Sequence, residues 1–456
     1  MYGRPRTQIF LASTLYGAAT LAAALDTGRF SPADRRLLLV ANTAAVPETT
    51  PALDEAPGFE VLRARFDGVL SWNAAISPFH PTGWTPRPDD APLWERHLRL
   101  LWGLGHDDLE LIVESIQVSP AQALALCFAD APLEVYADGL MSYGPTRSKL
   151  DPLLGTRVRR LLHLDLVPGL RPLLLSEFGV EPETVPTAAF SAVLDELTAA
   201  APPVTAPEGA ALLLGQYLSA LEILTPEEEE RLHVRMLRGA AGRGHRELVF
   251  KPHPSAPARW SRMLEEEAER IGVRLTVLET PVLAEVLFRR LRPALVVGCF
   301  STALLTASTF HGLPVARTGT DLLLERLTPY QNSNRVPVTL VDALLPGLED
   351  RAAHRRPSAE ETQGLLAAVG FAMQPQVLPG MREAAERYLA AHLDARTRRY
   401  FKRRRLTALA LPGAVPSQLA FLPRNPTVRK VARRARAVQR RLTRKSARTT
   451  KATVTA

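Results

Sequence analysis

A chain of 456 residues, 46% of them hydrophobic, is too long for one compact core and suits two domains of ordinary size plus an extension. Its two cysteines, Cys127 and Cys299, lie far apart in no metal-binding spacing, which argues against a zinc site and for a reducing compartment. The net charge of +9 is uneven: from Arg396 onward there are 19 Lys and Arg and no acid, which leaves the first 395 residues with 37 bases against 47 acids, an acidic body with a basic tail.

Arg4 and Arg6 followed by the apolar run 9–25 imitate a secretory signal. Ser13, Thr14, Tyr16, Gly17 and Thr20 interrupt that run as a strand, turn and packed helix would, so the chain is expected to stay in the cytoplasm. No stretch reaches the roughly 18 charge-free apolar residues of a spanning helix. Strands are predicted at 8–12, 36–41, 59–63, 68–72, 109–113 and 133–136. Their alternation with helical patterns is the mark of a parallel sheet covered by helices. The proline-rich segment 77–92 reads as a long loop, and His80-Pro81 within it follows no strand and is set aside.

Asp138-Gly139 comes directly after the strand 133–136, where open α/β sheets place ligand-binding groups. Asp138 is a candidate general base, and an Asp-Gly turn is the plainer alternative. Residues 157–207, rich in proline, read as helical patches of a connector. A second α/β unit opens with the strand 211–215 and Gln216. Thr225, Pro226 and Glu228 then form a capping box opening a helix to about residue 238, ended by Gly239, Gly242 and Gly244. Strands at 247–251, 274–278, 294–298 and 313–317 follow, alternating with helices at 258–271, 281–291 and 302–310, as successive right-handed βα units.

Within that series, Lys251-Pro252-His253-Pro254 stiffens a strand end, because each proline fixes its own φ and forces the residue before it to be extended. His253 is either an imidazole delivered into a cleft or an ordinary turn residue. Gly298, Cys299, Phe300, Ser301 and Thr302 end another strand and open a helix. This offers backbone N–H groups, hydroxyls and a helix dipole to a phosphate, or plain N-capping. Neither a Walker lysine nor GxGxxG is present. In the tail, Val428, Val431, Ala435, Val438 and Leu442 recur at helical spacing among arginines, the pattern of a helix on an anionic membrane surface; a solvated tail is the alternative.

The segments Gln8 to Gly17, Glu114-Ser115, Asp138-Gly139, Leu214-Gly215-Gln216, Lys251 to Pro254 and Ser301-Thr302, in this order, resemble the bacterial capsular α-2,8-polysialyltransferase family over roughly residues 7–340. The resemblance implies an α/β fold of the GT-B glycosyltransferase type, two Rossmann-like domains facing a cleft. It also implies an inverting sialyltransferase or polysialyltransferase that uses CMP-sialic acid as donor, without a metal or other cofactor. The family's acidic-Gly motif falls on Asp138, its His-Pro motif on His253 and Pro254, and its hydroxyl pair on Ser301 and Thr302. Where the family often has two adjacent acids, this chain has Ala137, so Asp138 alone is expected to serve. Asp138 and His253 are expected on opposite walls of the cleft as the catalytic pair. Gln216, Pro254, Gly298, Ser301 and Thr302 are expected to hold the CMP side of the donor. The division expected is 1–205 for an acceptor domain with connector, 206–395 for a donor domain and 396–456 for a basic, partly amphipathic or disordered helical tail. The partners expected are a CMP-sugar, an anionic or sialylated glycan and the inner membrane surface, but not nucleic acid. A CMP-Kdo-type donor, or a non-catalytic polyanion-binding protein, are the alternatives.

Overall fold

The computed structural model describes residues 4–147, 150–350 and 354–414. Met1–Lys402 form one compact unit holding two parallel sheets; Arg403–Ala456 form a second, of which the short helix Arg403–Ala408 is described. The helically patterned run 428–442 lies outside the described residues. Among the described residues no helix is long and apolar enough to cross a membrane.

The first sheet has strands β1 (Arg6–Ala12), β2 (Arg35–Val40), β3 (Gly68–Ser71), β4 (Asp108–Glu114), β5 (Leu133–Ala137), β6 (Val158–Leu164) and β7 (Pro182–Val185). They lie in the order β3-β2-β1-β4-β5-β6-β7, all parallel. Helices on both faces explain the unbroken apolar runs: Ile9, Phe10, Leu11 and Ala12 are all buried. The second sheet has β8 (Ala211–Leu214), β9 (Glu247–Lys251), β10 (Arg274–Val277), β11 (Leu295–Gly298) and β12 (Val315–Arg317), in the parallel order β10-β9-β8-β11-β12. Each order reverses direction once, between β1 and β4 and between β8 and β11. A crevice opens at the carboxyl ends of such a pair, which is where ligands of doubly wound sheets bind.

Three expectations are corrected. Phe59–Arg63 is a helix, not a strand: Phe59 and Leu62, three apart, are buried while Glu60 and Arg63 are exposed, which is helical rather than alternating spacing. The segment 157–207 is no mere connector, because β6, β7 and the helix Thr187–Ala200 complete the first domain's sheet. Arg160 obscured β6; its guanidinium meets Glu134 at 2.6 Å and lies over the Phe30 ring at 5.3 Å. Pro182 obscured β7, an edge strand, whose first residue tolerates proline. Finally, the capping box at Thr225 and Glu228 is present, yet its helix runs on to Gly242. Gly239 is there for close approach, since a Cβ would collide with Leu348.

Candidate active site

At the first crevice, β1 turns through Ser13 and Thr14 into the helix Leu15–Asp26. Thr14 caps that helix, its Oγ1 accepting from Gly17 N at 2.9 Å. Glu114 closes the gap from β4: its Oε2 accepts from Ser13 Oγ at 2.6 Å and from Ser13 N at 3.3 Å. On β5, Tyr136 pairs in register with Glu114 and donates from Oη to Leu11 O at 3.0 Å. Asp138, two residues further, reaches the same neighbourhood by strand alternation. A Cβ added to Gly17 would stand 3.0 Å from Tyr136 Oη and 3.3 Å from Asp138 Oδ2. A methyl group at residue 17 would therefore press on the groups around the carboxylate and require them to shift by a few tenths of an ångström.

Asp138 opens onto a cavity of about 260 Å³, lined by Tyr16, Asp138 and Gly139 from the first domain and by Glu285, Ser301 and Thr302 from the second. Burial, then the charge of Glu114, pushes the Asp138 carboxyl up to about 7, against hydrogen bonds from its own backbone and Thr14. The residue keeps some exposure at the cavity, while the carboxyl itself sits deep among protein atoms. Burial also raises Glu114, opposed by its Ser13 hydrogen bonds. Opposite, burial pushes Glu285 up to about 6, opposed by its own backbone, Thr306 and Lys251. Lys251 is in turn lowered by burial, opposed by Glu285. The Tyr16 phenol is held well above its usual range by burial first and Glu285 next.

At the second crevice, Gln216 follows β8 and spans to the turn after β11, where its Oε1 accepts from Phe300 N at 2.9 Å. Ser301 caps the helix Thr302–Phe310, its Oγ accepting from Ala303 N at 3.3 Å. Thr302 Oγ1 accepts from Leu140 N of the other domain at 3.4 Å. Gly298 is buried, with room for a Cβ only at 3.3 Å from Leu304, so it serves strand-to-helix packing.

His253 lies at the tip beyond β9, exposed to a cavity of about 600 Å³ that it lines with Lys251 and Pro254 against the loop carrying Ala44 and Thr49 of the first domain. Its Nδ1 accepts from Ser255 N at 3.2 Å, which leaves the ring hydrogen of the neutral form on Nε2. Tyr217 packs beside the imidazole at 6.2 Å and is itself held edge-on by Trp260 at 5.6 Å. Burial and then the Lys251 charge lower the His253 pKa; the ring is reachable from the cavity, yet the surrounding walls keep its environment less polar than water.

Of the residues predicted from sequence, Asp138, Ser301 and Thr302 thus share one cavity, and His253 and Pro254 line another. Lys251 connects the two, lining the second while its charge reaches Glu285 in the first. Gln216 and Gly298 line neither and shape the turn between. His80, set aside earlier, contacts Ala44 O at 2.9 Å within the first domain. Sequence reading missed Tyr16 and Glu285; the available signal for Glu285 was a lone acid in the apolar run 282–288 just after a strand and a proline.

Two doubly wound domains meet at their carboxyl edges, with a raised-pKa carboxylate on one side and hydroxyls, a helix N-terminus and an imidazole on the other. Such an arrangement, two doubly wound sheets with polar groups gathered at their carboxyl ends, is that of a two-domain α/β protein that binds its ligand in the crevice between them. The chain belongs to the alpha-2,8-polysialyltransferase family, which it matches over residues 8–319, and is a sialyltransferase. No curated protein matches it. Among solved structures it is similar to an alpha/beta-galactoside alpha-2,3-sialyltransferase from Photobacterium phosphoreum, at 11% identity and TM-score 0.44 over 77% of this chain and 100% of that one. It is also similar to the GT-B domain of a sialyltransferase from Photobacterium damselae (10%, TM-score 0.38, 73% and 95%) and to MurG of Acinetobacter baumannii (10%, TM-score 0.38, 86% and 97%).

Proposed function

We propose that the protein moves sialic acid from CMP-sialic acid to a sialylated or otherwise anionic glycan, with inversion and without a metal ion, in the synthesis of a surface polysaccharide. The observation that carries this reading is the single cavity in which Asp138 faces Ser301 and Thr302. In the reaction, the bond from the anomeric carbon to the phosphate oxygen of CMP breaks, its electron pair leaving with the phosphate. An acceptor hydroxyl oxygen bonds to the anomeric carbon from the opposite face, and its proton passes to Asp138. A carboxyl raised to about 7 is well matched to that task near neutral pH. Ser301, Thr302 and the N-terminus of the helix Thr302–Phe310 share the charge of the departing phosphate in the cavity of Asp138, and His253, from the neighbouring cavity that it lines with Lys251, donates from Nε2 to the CMP group. CMP leaves readily as a phosphate monoester, so the departure asks for hydrogen-bond donors rather than for a further charge.

The arginines and lysines beyond Arg396 support a place on the cytoplasmic face of an anionic membrane, which would also gather acidic glycans near the cleft. The test is incubation of purified protein with CMP-sialic acid or CMP-Kdo and a panel of labelled oligosialic and galactoside acceptors, read by product mass. Products lengthened by sialic acid are expected. A Kdo product, or CMP binding with no transfer to any acceptor, would overturn the reading.

A further inference from the structure

The carboxyl at the end of β4 is used by nothing in the mechanism above, yet like Asp138 it is held by two hydrogen bonds. Glu114 takes two hydrogen bonds from Ser13, the shorter at 2.6 Å, the length of a charge-assisted O–H···O⁻ contact. Ser13 is followed by Thr14, which contacts Asp138 and caps the next helix. Tyr136, in register with Glu114 and two residues before Asp138, fills the space beside both. Two carboxyl groups at neighbouring strand ends are thus held by two consecutive residues of a third strand's tip. The order β1-β4-β5 is what brings residues from three distant parts of the chain together.

We propose that Glu114 is a positioning residue for the transfer reaction, a fixed negative neighbour that makes Asp138 a stronger base than an isolated aspartate. The proposal rests on the assignment of Asp138 as the base. The groups that face Asp138 fit it. Glu114 on β4 and Tyr136 on β5 stand to one side, and Tyr16 of the helix Leu15–Asp26 to another. Glu285 of the helix Ala284–Leu291 lies across the cavity, with Lys251 of β9 beyond it. The only cation in this set faces Glu285 rather than Asp138. Like charge from Glu114 therefore acts together with burial in the same direction. Both hydrogen bonds from Ser13 favour the anionic form of Glu114, against the burial that raises its carboxyl.

The test compares the full-length wild type with Glu114→Gln, Glu114→Asp and Ser13→Ala. Gln keeps an acceptor for Ser13 at the same place without the charge. The first readout is the pH dependence of kcat/KM with CMP-sialic acid. In the wild type the rate should fall as pH drops through about 7. In Glu114→Gln that acidic limb should move down by a pH unit or more, so that the fraction of maximal rate kept below the wild-type midpoint rises up to about tenfold for each unit moved. The plateau above pH 8 should drop, because a weaker base is slower. Glu114→Asp should restore the limb toward the wild-type position. A lower rate with an unmoved limb would overturn the proposal and leave Glu114 as a brace for the β1 tip. The second readout needs no activity: infrared titration of the Asp138 carboxyl, assigned by difference from Asp138→Asn, in wild type and Glu114→Gln. A midpoint that falls in Glu114→Gln supports the pairing, and an unchanged midpoint refutes it. Absent transfer with a shifted midpoint would count against the functional reading alone.

Discussion

Asp138→Asn should abolish transfer and yet make the protein more stable at alkaline pH. The carboxyl of Asp138 is raised from 3.8 to about 7 in the folded protein, by burial and by Glu114. The folded state therefore keeps a proton that the unfolded chain releases from about pH 4 upward. As pH rises from about 4 to about 7, the contribution of Asp138 to stability declines, and above 7 the full cost of a buried charge beside another carboxylate remains. At about 1.4 kcal/mol per unit, the shift corresponds to an upper bound of about 4 kcal/mol. That figure already includes the hydrogen bonds that the ionised form accepts from Thr14 and the backbone, and with relaxation around the charge a gain of about 2–4 kcal/mol is expected for Asn at pH 8, shrinking to almost nothing at pH 4. The assay is thermal or urea unfolding between pH 4 and 8 by tryptophan fluorescence, which reports mainly on the first domain because Trp72, Trp84, Trp94 and Trp102 lie there and only Trp260 in the second. An Asn variant that is less stable at pH 8, or whose advantage does not change with pH, would refute the reasoning.

If His253 donates to the leaving CMP as proposed, His253→Ala should lose about 10²-fold or more of kcat, and because the residue is exposed unfolding should be unchanged, as measured by initial rates and melting. Gly17→Ala should lower both melting temperature and rate, since its methyl group would press at 3.0 Å on Tyr136 Oη and 3.3 Å on Asp138 Oδ2. Gln216→Ala orphans Phe300 N and should cost about 1–3 kcal/mol in unfolding, with Gln216→Glu, which keeps the acceptor, recovering most of it. Transfer should survive dialysis against EDTA, as a radiolabel assay would show.

What could be read in the sequence were the features written locally. β1, β9 and the helix Thr302–Phe310 fall where predicted, because apolar runs end at prolines, glycines and hydroxyl caps. The strand ends carrying Asp138, His253 and Ser301 were legible for the same reason. β6 and β7 were not, because Arg160 gives up alternation to reach Glu134 across the sheet and because an edge strand tolerates the proline that looked like a breaker. Phe59–Arg63 carries too few residues for a period of 2 to be told from one of 3.6. The partners within the site were hidden most deeply. Glu114 lies 24 positions from Asp138 and Glu285 lies 16 from Ser301; only strand order brings the charge of Glu114 to bear on Asp138, and only helix packing brings Glu285 to the cavity of Ser301. Ala137 is also explained in part: its side chain belongs to the apolar core of the first domain, while the second acid near Asp138 arrives from β4.

The central claim is that Asp138 takes the acceptor's proton in sialyl transfer. It is tested most directly by single-turnover transfer from CMP-sialic acid to an oligosialic acceptor, comparing wild type with Asp138→Asn at pH 8, with CMP binding measured for both. A fall of about 10²–10⁴-fold in the rate of the chemical step, with CMP affinity unchanged, is the result predicted. An Asn variant that transfers within about tenfold of wild type would contradict it.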